Sequence, residues 1–332
     1  MKTNVLMVPA LAFLTLAVLC GCPMDPGADL SRQEQIEVRW AELEPSATGT
    51  YYLATDQPSF EAAPYHAGTL DPAYLADCLN MANFARFLAY LPDDLVMDAV
   101  MNDQSQHGAL LLRVIDTIER DPLQPAGMSS EDYTLGLTGL DYALLGSGYS
   151  SVAHAERQGW LPDTFAPTNL GHRRQILNPA LQKVGFGHVD GYSVMQSLDE
   201  SRAGSVDFEY VAWPSREAFP VEFFPAGTAW CVSLNSALYN PPTVDDVTIT
   251  LTRVSTSHTW ILNADDITET PTGEYLHVDS ANWGIANCII FRPDSAAVYA
   301  AGETYEVRIA GLSPKAGGVT TVSYEVRFFS LP

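Results

Sequence analysis

Basic side chains are scarce in this chain. Seventeen lysines and arginines stand against 40 aspartates and glutamates in 332 residues, a formal net charge of −23. A surface of that sign repels nucleic-acid phosphates and anionic lipid headgroups, which excludes both as docking partners. Cysteine is also rare, with five residues, two of them at the end of an N-terminal apolar segment. There is no Gly-x-Ser-x-Gly elbow, no His-Glu-x-x-His, no phosphate-cradling glycine loop and no Cys-x-x-Cys after that segment. Serine-hydrolase, zincin, nucleotide-binding and dithiol chemistries therefore lack their usual signatures. No internal repeat is visible.

What is present begins with a targeting signal. Lys2 precedes an apolar run over 5–19, too short to span a bilayer but suited to a signal-peptide core. It ends in Leu19-Cys20-Gly21-Cys22, which resembles a bacterial lipobox with Cys22 as the lipidated residue. The expectation is an exported protein of the cell envelope, membrane-anchored through lipid on Cys22, or secreted if cleaved without lipidation. Cys78, Cys231 and Cys288 then remain, so at most one disulfide forms. Cys78 falls at an apolar position of a helical segment. Cys231 and Cys288 lie in strand-like runs, and export permits a bridge between them.

Residues 23–58 are polar and proline-containing and read as a tether with a short helix near 33–44. Asp71-Pro72 then starts a helix that Leu91-Pro92 stops. A second helix follows Asp93-Asp94, with Val96, Val100, His107, Leu111, Val114 and Ile118 along one stripe. Residues 121–170 read as irregular apart from a short helix near 150–160. From Val184 the period switches to two, and Asp190-Gly191 between two such runs is a hairpin signal. Past Trp213 the runs 230–234, 247–251, 288–291, 304–309 and 322–329 read as strands, and the last two alternate as half-buried strands of a sandwich do. The fold class is α+β: a mixed unit over 59–205, a connector over 206–227 and an all-β, immunoglobulin-like sandwich over 228–332.

The mixed unit resembles the bacterial branch of the CAP superfamily: cysteine-rich secretory, antigen-five and plant pathogenesis-related proteins. The resemblance covers roughly 65–200. It rests on Leu79-Asn80-Met81-Ala82-Asn83-Phe84-Ala85-Arg86, on 104–111, on 122–128, and above all on Gly171-His172-Arg173-Arg174-Gln175-Ile176-Leu177-Asn178-Pro179 with Val184-Gly185-Phe186-Gly187. It implies an α-β-α sandwich with a cleft beside the sheet, where two histidines and two acids can hold a divalent cation such as zinc. His172 matches one histidine and Asp163 one acidic position. Arg120 stands where the other histidine is expected. The second acidic position falls near 140–144, where Asp141 is the only carboxylate and the preferred register offers Ala143.

Arginine donates only and repels a cation, so an Arg120 pair with Asp163 or Asp141 would fill the metal's space. The expected cleft is accordingly metal-free, cofactor-free and non-catalytic. His172 can serve as cleft ligand or general base, or can bond backbone and fix the turn before the strand. His107 reads as a rim residue of the second helix that could replace the missing histidine if it lines the cleft. Arg173 and Arg174 can recognise an anion; the plainer reading pairs one with internal carboxylates and leaves the other solvated. Asn178-Pro179 reads as turn chemistry at the cleft rim. His188, and His154 with Glu156, are expected at the surface. The function these residues imply is a binding module at the cell surface for a small apolar ligand, peptide or protein. The alternative is a metal-assisted hydrolase using His172, Asp163 and His107.

Overall fold

In the computed structural model, residues 30–43, 51–270, 272–315 and 317–332 are described. Cys22 and the leader lie outside them. Among the described residues no helix is long and apolar enough to cross a membrane.

The chain is a mixed α+β protein. Helix α1 (Arg32–Leu43) falls inside the span read as a tether. It is seated on the fold: Ile36 is fully buried and the Trp40 ring lies 5.0 Å from Phe84 and 6.0 Å from Phe223. Helix α2 (Pro72–Leu88) begins where Asp71 accepts from the Ala73 amide, as Asp-Pro predicts. Strand β1 (Val96–Met97) comes next, and Asp98 then caps helix α3 (Ala99–Ile115). The second helix therefore starts later than its expected stripe. Val100 is 63% exposed, Ile118 lies past the helix end, and the buried residues are Ser105, Gln106 and 108–112. The reason is that α3 is covered on two sides, by a helix and by a sheet, so a single-stripe pattern does not describe it.

Helix α4 (Ser130–Leu140) and strand β2 (Leu144–Ser147) occupy the region read as irregular. Ser129 accepts from the Asp132 amide to start α4. Gly139 sits against α3 so closely that a Cβ there would stand 1.9 Å from the Gln104 carbonyl oxygen. Helix α5 (Val152–Ala155) runs into a π-turn at Glu156–Trp160, and helix α6 (Gly171–Ile176) carries the His172 motif. Strands β3 (Lys183–Val189) and β4 (Tyr192–Gln196) form the hairpin that Asp190-Gly191 signals, with φ of 44° and 86° at the turn. The first sheet has the order β1-β3-β4-β2. Gly185 and Gly187 face α3, where Cβ atoms would meet Met101 and the Ser105 backbone at 2.3 and 2.0 Å. Phe186 points the other way, into the core shared with α2. Helices thus cover both faces of this sheet.

Nine strands follow among the described residues: β5 (Tyr210–Trp213), β6 (Glu217–Pro220), β7 (Trp230–Leu234), β8 (Thr248–Arg253), β9 (His258–Leu262), β10 (Tyr275–Asp279), β11 (Cys288–Arg292), β12 (Thr304–Ala310) and β13 (Thr321–Phe329). They form two sheets, β10-β11-β7-β5 and β6-β13-β12-β8-β9. Trp230 of the first packs on Tyr305 and Phe328 of the second, at centroid separations of 5.8 and 6.1 Å. Strands β5 and β6 fall within the expected connector, yet β5 pairs with β7 and β6 with β13. One apolar core joins both units, from Phe84, Trp160 and Phe186 to Trp213, Trp230 and Tyr305.

Candidate functional site

The motif that the sequence singles out folds as a helix rather than as a turn before a strand. Leu170, at φ 50°, turns the chain into α6, and its first free amides are met by a side chain seven residues earlier. Asp163 Oδ2 accepts from the amides of His172 (2.9 Å) and Arg173 (3.4 Å). This places a carboxylate at a helix N-terminus, where amides and dipole favour negative charge. The other oxygen, Oδ1, lies 2.8 Å from His172 Nδ1. Asp163 is fully buried while the His172 side chain is 21% exposed. Facing a carboxylate, Nδ1 carries the proton in the neutral ring, which leaves the lone pair on Nε2. Nε2 has no hydrogen-bond partner among the described residues. The expected union of His172 with Asp163 is present.

The other expected site residues go elsewhere. Arg120 forms no ion pair with Asp163 or Asp141; its Nη1 donates to the Leu140 carbonyl at 3.1 Å, at the C-terminal end of α4. Asp163 is instead bonded to the His172 ring and to the α6 amides. His107 does not replace a second cleft histidine: its ring meets Asp103 and, at 3.2 Å, Asp132 of α4. Ala143 is buried in the small core of α3 and α4. Among the described residues no three His, Cys, Asp or Glu side chains converge on a point that could hold a metal ion.

Both arginines of the motif are buried, so neither is solvated. Arg173 donates to the carbonyls of Leu161, Pro162 (2.7 Å) and Ala229 (2.7 Å), and its Nη1 lies 3.4 Å from Cys231 Sγ. Arg174 pairs with Asp279 at 2.6 Å and donates to the carbonyls of Asn169, Ala281 and Ile285. They bolt α6 to the β-sandwich. Asn178 is buried too: its Oδ1 accepts from Ala180, as turn chemistry predicts, and its carbonyl accepts from Arg86 at 2.7 Å.

Cys231 and Cys288, the pair considered for a bridge, are both free. Cys231 opposes Ile290, and Cys288 opposes Ser233, so the two are diagonal rather than directly paired. Diagonal residues stand about 7–8 Å apart, at or beyond the span a disulfide accepts. The Cys288 thiol donates to Cys231, and this bond, with Arg173 behind it, lowers the Cys231 pKa; Cys288 is raised by burial.

Two residues near the motif, and two buried titratable groups elsewhere in the helical unit, carried little local signal. Trp283, 39% exposed on the sandwich loop after β10, lies over Gly171, where a Cβ would stand 3.2 Å from its ring. Phe165, two residues past Asp163, is 71% exposed. Glu156, expected at the surface, is fully buried with neither carboxyl oxygen hydrogen-bonded, and burial raises its pKa well above the carboxylate range. His188 is also buried rather than exposed, 3.0 Å from Ser193 Oγ, and desolvation lowers its pKa to about 4.

Compared with known proteins, the chain matches no protein-family model and no curated protein.

Proposed function

We propose that this protein is an exported, lipid-anchored binding module of the cell envelope, built from a CAP-like α-β-α sandwich and an immunoglobulin-like β-sandwich. Its ligand is a small apolar molecule or a peptide segment, held beside His172. One observation carries the reading: Asp163 spends both oxygens inside the fold, on the α6 amides and the His172 ring. The ring then offers a single fixed acceptor, Nε2, on the same helix turn as Gly171, which the Trp283 ring of the other unit covers, with exposed Phe165 in the preceding loop. An aromatic wall with one fixed polar group suits recognition of an apolar group bearing one donor.

A second reading has one specific support. A buried carboxylate orienting a histidine with a free Nε2 is also how a general base is held. Two assays on the full chain separate the readings. Titration with the apolar fluorophore anilinonaphthalene sulfonate should saturate, and Trp283→Ala should weaken it about tenfold, the loss of one aromatic contact and its buried area. Turnover of p-nitrophenyl acetate should be unchanged by His172→Ala. Fluorophore binding indifferent to Trp283→Ala contradicts the binding reading, and esterase activity abolished by His172→Ala supports the hydrolase.

A further inference from the structure

A second recess, of about 570 Å³, opens where the start of α1 lies against β5, β6 and β13. It shares no residue with the His172 site. Three of the chain's few basic side chains line it: Arg32 from α1, Arg216 from the turn before β6, and Arg327 from β13. None of the three has a carboxylate within ion-pair distance among the described residues, in a chain that carries 40 acidic side chains.

Aromatic rings, not carboxylates, hold two of these guanidinium groups. Arg32 lies over Phe87 and Tyr90, 4.4 and 4.1 Å from the ring centroids, and Arg216 stacks on Tyr90 at 4.1 Å. Stacking fixes the planes; Arg32 Nη2 donates to the Phe87 carbonyl at 2.6 Å, and its Nε is left for a ligand. Arg327 is steadied by Gln33 Oε1 at 3.2 Å. Two buried polar atoms of the lining have no partner: Arg32 Nε, on a residue 9% exposed, and the Tyr324 hydroxyl, on a residue 8% exposed. Unanswered groups at that depth are costly unless something brings them a partner. The recess also contains strained backbone, since Glu217 sits at φ 72°, a region that side-chain-bearing residues rarely occupy and that clusters at ligand sites.

We infer that this recess binds a hydroxylated monocarboxylate, the chemistry of a uronic acid. Three guanidinium groups face two carboxylates, Glu217 and Glu325, across the lining. That excess favours one negative charge and disfavours a dianion such as phosphate. Planar guanidinium edges match a carboxylate bidentately. Glu325, and Glu217 beyond its bond with the Tyr90 side chain, have acceptor capacity that sugar hydroxyls fill, and the Tyr324 hydroxyl and Arg32 Nε take further ligand oxygens. The volume accommodates one sugar ring with its substituents.

Calorimetric titration of the full chain tests this with D-glucuronate, D-glucose and inorganic phosphate as probes. Glucuronate should bind saturably in the millimolar range, with glucose and phosphate each about tenfold weaker or more, the loss of one charge-assisted contact. Arg216→Ala and Arg327→Ala, both at exposed positions, should each weaken glucuronate binding about tenfold, and Lys183→Ala should leave it unchanged. Circular dichroism of each variant shows whether it remains folded. No saturable glucuronate binding, phosphate binding as tightly as glucuronate, or folded arginine variants that bind as the parent does would each overturn the inference.

Discussion

Two groups of arginines put the same side chain to opposite uses. At the junction, Arg173 and Arg174 are buried and surrounded by carbonyl oxygens, with one carboxylate between them. At the α1 recess, Arg32, Arg216 and Arg327 keep donors open, and two are held by rings rather than by charges. A guanidinium has five N–H donors in a rigid fork. Where the protein answers them, the arginine is a fastener between elements; where it leaves them open beside a recess, the arginine is a receptor.

The contrast makes predictions of descending size. Arg173→Ala should lower unfolding stability by about 3–5 kcal/mol in a denaturant titration, because it strips donors from buried carbonyls and empties the junction. A loss below about 1 kcal/mol would mean that the apolar core alone joins the two units.

Titratable groups inside the helical unit extend the contrast to protons. His188 is held neutral, its pKa lowered from 6.5 to about 4, so the unfolded chain binds the extra proton between those values. Its contribution is therefore complete above pH 6.5 and is lost as pH falls towards 4, by about 3 kcal/mol at most. Comparing stability at the two ends of that window in the parent and in His188→Gln measures it. Glu156 works in the opposite sense. Its pKa is raised, so the contribution present below the ordinary value of 4.5 is lost as pH rises through the folded-state value. Glu156→Leu should stabilise the protein at pH 8 by roughly 1–3 kcal/mol, and a destabilisation would show that the carboxyl has a partner. Smallest of all, Arg327→Ala should change stability by less than about 0.5 kcal/mol, since its one bond to the fold, to Gln33 of α1, is exposed to solvent.

Local chemistry made parts of this architecture legible. Asp71-Pro72 marked a helix start, Asp190-Gly191 a hairpin, and the period-two run from Val184 a strand, though not the close approach of α3 at Gly185 and Gly187. The Gly171–Pro179 stretch pointed to His172 and, with Asp163, to the pair that the structure brings together. Helix α4 escaped notice because Gly136 and Gly139 dilute its periodicity, although both are there to let α3 pass. The burial of Arg173 and Arg174 was not readable because their partners lie 56 and 111 residues away. The same holds for the α1 recess, whose walls come from residues 31–33, 210–218 and 323–327. The helix near 33–44 was readable, but its docking was not, since Phe84 and Phe223, which receive Trp40, are distant from it and from each other in the sequence.

These contacts also bear on separability. Removing 228–332 would take away Ala229, Cys231 and Asp279, and with them the partners of two buried arginines. The two units are one structural body, and a test of the His172 site needs the full chain.

In the proposed reading the Asp163–His172 pair is a helix cap presenting one acceptor to a ligand, not half of an ion-binding cage. Calorimetric titration of the full chain with zinc chloride tests it most directly. The account predicts that any heat observed is the same in the parent and in His172→Ala. A tight one-to-one site present in the parent and absent in the variant would contradict it.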